Sequence, residues 1–242
     1  KKTIAFLTGH DEPDLLGSDP QGRPNPLRQA LEESYTLTTF NSAEDDQVPD
    51  DVDVLIAFAP TKALGERDLF VIDQYLMSGR SVGFIPINFT LNQRQGGFVP
   101  IPHNLYDLLG HYGLGLREDL VIDRSQNGRR QFPVRQGGFV LPMVINYPLV
   151  PLVTNLSDES IITREIDALA MPFTSSIEVD AAALAALGGE VTPLFVSSEG
   201  SSRLPTGLPP YDPNALKTPD PKEEAGPFTL GVAYQGPLSS YF

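Results

Sequence analysis

The first half of the chain alternates continuous apolar runs with stretches in which apolar residues recur every three or four positions. Apolar runs at Thr3 to Thr8, Val52 to Ala59 and Ser81 to Ile85 predict strands that are buried on both faces. Leucine and isoleucine side chains at positions 64, 69, 72 and 76 have helical spacing, and Gly79 ends that predicted helix. This alternation indicates right-handed crossovers between parallel strands.

Further elements complete a predicted first domain, residues 1–124. Two helices are predicted from Pro26 and from Leu105 to Tyr112, and two strands from Thr36 to Phe40 and from Leu120 to Asp123. About five strands and three helices are what a doubly wound domain needs. The predicted fold class is therefore α/β, with a mainly parallel, doubly wound, flavodoxin-like sheet.

The second half, residues 125–242, is predicted to be a strand- and loop-rich C-terminal extension that packs on the first domain. It is rich in proline and glycine, and Asn127-Gly128 is typical of a hairpin turn. The proline-rich residues 199–227 predict a long surface loop, and the last strand, 228–234, is a candidate to join the sheet. Other predicted elements are strands at 161–169, 175–179 and 194–198 and a helix at 181–187.

Composition narrows the classes of partner and cofactor. The 242 residues include 17 basic and 31 acidic side chains, and the net charge of -14 repels nucleic acid and anionic lipid. The chain has no cysteine, which excludes disulfides, thiolate nucleophiles and cysteine-ligated metals. No apolar window approaches a membrane span, and no glycine-rich phosphate loop occurs, so neither direct membrane insertion nor a cofactor is predicted.

The carboxyl ends of the predicted strands carry the best candidate binding site. The carboxyl ends of parallel strands lie at one edge of a sheet, where ligands usually bind. The alternative is a purely structural role, in which Asp11 and Glu12 cap the next segment and His10 packs in the turn. Adjacent residues rarely converge on one ion, so no metal site is predicted. The predicted ligand- or partner-binding residues are Gly9, His10, Asp11, Glu12, Thr61, Lys62 and Asn88.

No residue is predicted to be catalytic. A hydrolase of the amidotransferase type needs a nucleophile on a sharp turn after a central strand, and Ala59-Pro60-Thr61 and Ile85-Pro86-Ile87 offer none. Thr174-Ser175-Ser176 supplies hydroxyls without a neighbouring base. Their expected role is a hydrogen-bonded start of a strand.

Several blocks in order resemble one protein family. The chain resembles the extracytoplasmic auxiliary domain of bacterial ABC-type transport systems, typified by the gliding-motility auxiliary component. That resemblance implies a fold related to class I glutamine amidotransferase-like and intraflagellar-transport-type domains, without established catalytic residues. The blocks are Thr8 to Glu12, Asp53 to Ile56 running to Pro60, Asp73 to Arg80, Leu108 to Leu114, Asp119 to Asp123, Phe173 to Ser176 and Gly226 to Ala233.

The resemblance also implies a cellular setting. It implies a periplasmic, soluble part of a membrane-anchored bacterial protein that contacts the membrane and ATPase subunits of a transport complex, with a glycan or peptide as cargo. The absence of an initiator methionine fits a segment of such a longer protein.

Two functions compete. The first is a non-catalytic domain that binds a partner or cargo. The alternative is a divergent hydrolase that acts on a glycan or amide through His10 and Glu12. A solute-binding protein is disfavoured, because such proteins have two similar lobes and the halves of this chain differ.

Overall fold

The computed structural model describes residues 1–92 and 96–242, except for the side chains of residues 135 and 136. These residues form two compact units, each assembled from separate segments of the chain. The first unit comprises residues 1–87, 101–112 and 238–242, and the second comprises residues 88–100 and 113–237. The predicted division at residue 124 stays a prediction.

The first unit contains a parallel four-stranded sheet in the order β2-β1-β3-β4. Phe6 pairs with Thr39 on one side and with Ile56 on the other. The central strands place Ala5 and Leu55 among the fully buried side chains, as their apolar runs predict. The strands are β1 (Lys2–Thr8), β2 (Tyr35–Asn41), β3 (Val54–Phe58) and β4 (Ser81–Ile85).

Local capping explains where helices α1 and α2 of this unit begin. The Asn25 side chain accepts a hydrogen bond from the amide of Leu27 at 2.9 Å, and Pro26 occupies the first turn of α1. The Asp68 carboxylate accepts a hydrogen bond from the amide of Gly65 at 2.7 Å at the start of α2. The helices are α1 (Pro26–Glu32), α2 (Glu66–Met77) and α3 (Leu105–His111).

The second unit is built mainly from short antiparallel strands. Its described residues contain one α-helix, α4 (Ala181–Ala186), and a 3-10 turn at Ala215–Lys217. The strands are β5 (Phe89–Asn92), β6 (Gly97–Pro100), β7 (Leu114–Leu116), β8 (Val121–Asp123), β9 (Asn127–Gln136), β10 (Phe139–Val153), β11 (Asn155–Leu156), β12 (Leu169–Ala170), β13 (Ile177–Val179), β14 (Glu190–Val196), β15 (Ser201–Arg203), β16 (Glu224–Ala225) and β17 (Thr229–Gln235).

These strands form several small sheets. The three-stranded sheets are β12-β10-β9, β11-β14-β17 and β16-β15-β8, and the pairs are β13-β7 and β5-β6. The last strand, β17, pairs antiparallel with β14. One aromatic core of this unit includes Phe132 and Tyr147, whose ring centroids lie 4.9 Å apart, and buries Leu216.

The predicted fold class is wrong. Among the described residues only four strands form a parallel sheet, and the expected fifth strand, β8, pairs antiparallel with β15. A run of three buried apolar residues looks the same in both kinds of sheet, so its pattern could not distinguish them. The protein is mostly strands in several small sheets, and a doubly wound sheet is absent from its described residues.

Two local predictions in the second half are also wrong, and a third is incomplete. The turn between β9 and β10 is Gly137-Gly138, with φ of 59° and 85°, and Asn127-Gly128 lies at the start of β9. Glycine suits this turn because a two-residue turn of type I′ needs positive φ at both positions. Residues 161–168 form turns and bends instead of a strand, and the predicted loop at 199–227 carries short strands and the buried Leu216.

Candidate functional site

The carboxyl end of β1 turns sharply at Gly9. Its φ is 110°, and a Cβ atom at this position would lie 2.5 Å from Oδ1 of Asn41 at the end of β2. Both the conformation and the close approach require glycine. The turn brings the next three residues, His10, Asp11 and Glu12, into a compact loop beside the sheet.

His10 is buried between two carboxylates. Its Nε2 lies 3.1 Å from Oδ2 of Asp68, and its Nδ1 lies 3.4 Å from Oε1 of Glu12. The backbone amide of His10 also donates to Oε2 of Glu12 at 2.7 Å. All three side chains are largely shielded from solvent. The imidazole is therefore the centre of a buried ionic triad, which we call the His10 triad (His10, Glu12 and Asp68).

The electrostatics of the triad favour the protonated form of the imidazole. Its contact with Glu12 is the main cause that raises the pKa of His10, and Asp68 adds to this against the opposing effect of burial. Burial would raise the pKa of Asp68, but the Ser42 hydroxyl, the Gly65 amide and His10 together lower it. The contacts with the two carboxylates thus favour the charged form of His10 more than burial disfavours it.

The next loop along the rim is fastened to the backbone of His10. The His10 carbonyl accepts hydrogen bonds from the amides of Thr61 at 2.9 Å and Lys62 at 3.1 Å. The Thr61 hydroxyl donates to the carbonyl of Asp11 at 3.3 Å, and the Lys62 ammonium lies 3.0 Å from the Asp11 carboxylate. The side chains of Asp11 and Lys62 are 60% and 64% exposed, so this ion pair is the polar face that the rim offers to solvent.

The structure brings six of the seven predicted site residues together. Gly9, His10, Asp11 and Glu12 form one loop, and Thr61 and Lys62 are hydrogen-bonded to it. Asn88 instead belongs to the second unit, where its side chain donates to the carbonyl of Arg117 at 3.0 Å. We define the rim as the six residues of the first unit.

Sequence reasoning missed Asp68, the partner of His10 from helix α2. A usable signal was present, because Gly65 followed three residues later by an acidic side chain is the spacing of a capping box. That spacing predicts a carboxylate at the start of the helix. It does not indicate that the same carboxylate faces a histidine 58 positions earlier in the chain.

The rim has little capacity for acid–base catalysis. A general base needs an unprotonated ring nitrogen in reach of a substrate, and both nitrogens of His10 face buried carboxylates. A depression of about 190 Å³ in the first unit is lined by residues such as Val48, Phe70 and Arg80 and includes no rim residue. Among the described residues, no cluster of acidic and histidine side chains has the arrangement of a metal site.

The hydroxyls of Thr174-Ser175-Ser176 have structural partners. The Ser175 hydroxyl donates to the Asp119 carbonyl at 2.6 Å, and the Ser176 hydroxyl donates to the Asp119 carboxylate. Arg203 donates to both the Ser176 hydroxyl and the same carboxylate. The polar partners of Ser176 are thus a carboxylate and a guanidinium, which do not form the serine–histidine pair of a hydrolase.

The other two histidines hold helix α3. Nδ1 of His103 accepts a hydrogen bond from the Leu105 amide at 3.2 Å, and burial lowers the pKa of His103 to about 4. Nε2 of His111 lies 3.2 Å from the carbonyl of Ser239. His111 therefore links the end of the helix to the final residues of the chain.

Comparison with known protein families shows which family the chain belongs to. A family model described as ABC-type uncharacterized transport system matches residues 1–242. The chain belongs to this family. The predicted resemblance to an ABC transport auxiliary family is confirmed at that level, and membership of this family points to a transport-associated role.

Comparison with solved structures shows a protein of similar fold. The mmIFT52 N-terminal domain is similar to this family member with a TM-score of 0.52 and 14% sequence identity, over 82% of this chain and 74% of that chain. At this identity the likeness concerns the fold alone. No curated protein matches the chain. No helix among the described residues is long and apolar enough to cross a membrane.

Proposed function

We propose that this chain is a non-catalytic, extracytoplasmic binding domain of an ABC transport system, and that the rim is its contact surface. The partners are the membrane and ATPase subunits of the complex, and a glycan or peptide is the cargo class. Membership of the transport family supports the setting. The observation that carries the binding role is the His10 triad, which fixes the rim and leaves one ion pair exposed.

The rim suits recognition because its backbone is held rigidly. The His10 carbonyl accepts two amide hydrogen bonds, and the triad anchors the His10 side chain below the surface. A pre-organised surface loses little conformational entropy when a partner binds. The exposed Asp11 and Lys62 present opposite charges side by side, an arrangement that favours a partner with complementary charges.

The hydrolase alternative has weaker support. It needs His10 as an acid–base group, but two carboxylates occupy the surroundings of its ring. Hydrolysis of a glycan or amide by the purified chain, abolished by His10→Gln, would establish this alternative.

The cellular location of the domain and its kinship with other domains extend the same proposal. We place the domain in the periplasm as the soluble part of a membrane-anchored bacterial protein. Kinship with the gliding-motility component and with amidotransferase-like domains stays a prediction, and it carries none of the argument for the rim.

Photo-crosslinking in intact cells tests the contact surface. A photoreactive amino acid at Lys62 in the full-length protein is expected to crosslink to a membrane subunit of the transport complex. The matched control replaces Lys217, an exposed lysine of the second unit, by the same photoreactive amino acid. Crosslinks from position 217 alone, or from neither position, would contradict the proposal.

A double variant separates recognition from folding. Asp11→Asn with Lys62→Gln removes both exposed charges, and asparagine tolerates the φ of 57° at position 11. The free energy of unfolding should change by less than about 1 kcal/mol, because exposed ion pairs contribute little. Recovery of the transport subunits with the double variant should fall. If the double variant recovered the transport subunits as well as the wild-type protein does, the rim would not be part of the interface.

A further inference from the structure

The hairpin of β9 and β10 carries its apolar side chains outward. Eight successive residue pairs join 129–136 to 139–146, and this stretch is the outer hairpin. Its two strands pair only with each other among the described residues, since β12 meets β10 further along, at Leu152 and Val153. Phe132 and Tyr147 anchor the hairpin in the aromatic core. Among the described residues, the turn end of the hairpin therefore forms no strand pairs with the rest of its unit.

Large apolar side chains are exposed along one strand of the outer hairpin. Five of six successive residues show this exposure, although isolated exposed apolar residues are the usual pattern on a soluble protein. Successive strand residues point to opposite faces, so the exposed set covers both faces of the hairpin. The exposed fractions are 73% for Phe139, 59% for Val140, 48% for Leu141, 46% for Met143 and 63% for Val144.

The charge of this segment opposes that of the whole chain. Residues 127–144 contain three arginines and no acidic residue, whereas the whole chain has a net charge of -14. Arg129 is exposed, and the guanidinium of Arg130 lies 4.7 Å from the centroid of the Phe173 ring at the base. A cationic, apolar element favours an anionic partner that also accepts apolar side chains.

Two features favour a lipid surface over a protein strand. A partner that docks on one face would leave the apolar side chains of the other face in water, whereas lipid surrounds both. Pro133 and Pro142 face each other in the hairpin and have no amide hydrogen. Proline on an edge prevents an added strand from pairing there.

We propose that the tip of the outer hairpin inserts shallowly into the headgroup region of an anionic membrane. The open edges of a two-stranded hairpin cannot enter the hydrocarbon core, because their backbone groups need hydrogen-bond partners, so insertion stays interfacial. The four residues of each strand beyond the buried Phe132 extend about 13 Å. That length exceeds the Debye length of about 8 Å at physiological salt, so the acidic remainder of the unit is screened from the membrane.

This local contact departs from the expectation drawn from net charge. The average charge of the chain predicts repulsion from anionic lipid, but the outer hairpin has the opposite sign. The membrane contact is therefore confined to the hairpin.

Tryptophan fluorescence tests the insertion directly, because the chain contains no tryptophan. Phe139→Trp introduces one fluorophore at the tip, and Ile161→Trp is the matched control at an exposed apolar position of the same unit, 78% exposed. Emission of the Phe139→Trp protein should shift to shorter wavelength on adding phosphatidylglycerol vesicles at physiological salt. The control should not shift, and phosphatidylcholine vesicles should have little effect.

Binding to the same vesicles tests the two contributions separately. Arg135→Gln, at the position that pairs with Val140 next to the turn, is expected to weaken binding about fivefold, the effect of one basic residue near an anionic surface. Phe139→Asp should weaken it by roughly tenfold or more, because an apolar contact is lost. Ile161→Asp should leave binding unchanged.

Three outcomes would overturn the proposal. The first is no shift with either lipid. The second is an equal shift with both lipids, which would exclude anionic recognition. The third is a shift without vesicles that grows with protein concentration, which would show that the tip contacts a second copy of the chain.

Discussion

At the residue scale, the chemistry of the rim depends on the protonation of His10. Its two ring nitrogens face Glu12 and Asp68, and these carboxylates stabilise the imidazolium more than burial destabilises it. A pKa raised in the folded state links protonation to stability. His10 therefore contributes a stabilisation that is fully present below its unfolded pKa of about 6.5 and is lost as the pH rises through its folded pKa.

Comparison of two pH values tests this linkage. His10→Gln leaves two buried carboxylates without their cation and should lower the free energy of unfolding by about 3 kcal/mol near pH 6. Near pH 9 the difference should be smaller, because the stabilisation that comes with a raised pKa is lost as the pH rises through that pKa. Urea unfolding of both proteins at the two pH values measures the effect.

The control for this experiment is His111→Gln, which removes an exposed histidine. The lowered pKa of Asp68 acts at the acidic end, since its contribution is lost only as the pH falls through that pKa. The titration of Asp68 therefore does not affect the comparison between pH 6 and pH 9. An equal destabilisation by His10→Gln at both pH values would show that the imidazole is neutral in the folded protein.

At the scale of elements, the final residues are bound to the helices of the first unit through Asp73 on α2. This buried carboxylate accepts hydrogen bonds from the Tyr112 hydroxyl at 2.6 Å, the Ser240 hydroxyl at 2.7 Å and the Tyr241 amide at 2.8 Å. Burial would raise the pKa of Asp73, but these donors lower it. The carboxylate thus joins α2, α3 and the segment 238–242.

Removing Asp73 should release that segment. Asp73→Ala leaves buried donors without an acceptor, and we expect a loss of about 3 kcal/mol in the free energy of unfolding. Ser240→Ala removes one hydrogen bond and should cost about 1 kcal/mol. Amide exchange of Tyr241, followed by NMR, should accelerate in both variants and more in Asp73→Ala. Protection of this amide in Asp73→Ala would contradict the assigned role.

Predictability differed between elements for physical reasons. The buried strands β1, β3 and β4 and helix α2 were predicted because apolar runs and helical spacing are local signals. Asp73 and Asp68 were not predicted as anchors, since their partners lie far away in the chain. A hairpin was predicted in this segment, but its turn was placed at Asn127-Gly128 instead of Gly137-Gly138, because either pair of residues suits a two-residue turn.

At the scale of the whole molecule, neither compact unit is continuous in the chain. The first unit needs residues 101–112 and 238–242 in addition to 1–87. The alternating pattern of the first half predicted one domain that ends near residue 124, because a sequence pattern carries no information on which distant segments pack together. The six rim residues that were correctly grouped lie on loops next to two paired strands, so topology alone predicted their proximity.

A fragment experiment distinguishes the division into two discontinuous units from the predicted domain boundary at residue 124. Residues 1–124 alone lack Ser240 and Tyr241, the donors to Asp73, and lack the strands that pair with β7 and β8. Unpaired strand edges and an unsatisfied buried carboxylate disfavour independent folding. We expect the fragment to show no cooperative thermal transition by circular dichroism, in contrast to the whole chain. Mixing with a separate fragment of residues 125–242 should restore the transition, because it supplies the missing partners. Cooperative unfolding of residues 1–124 on their own would instead establish the boundary at 124.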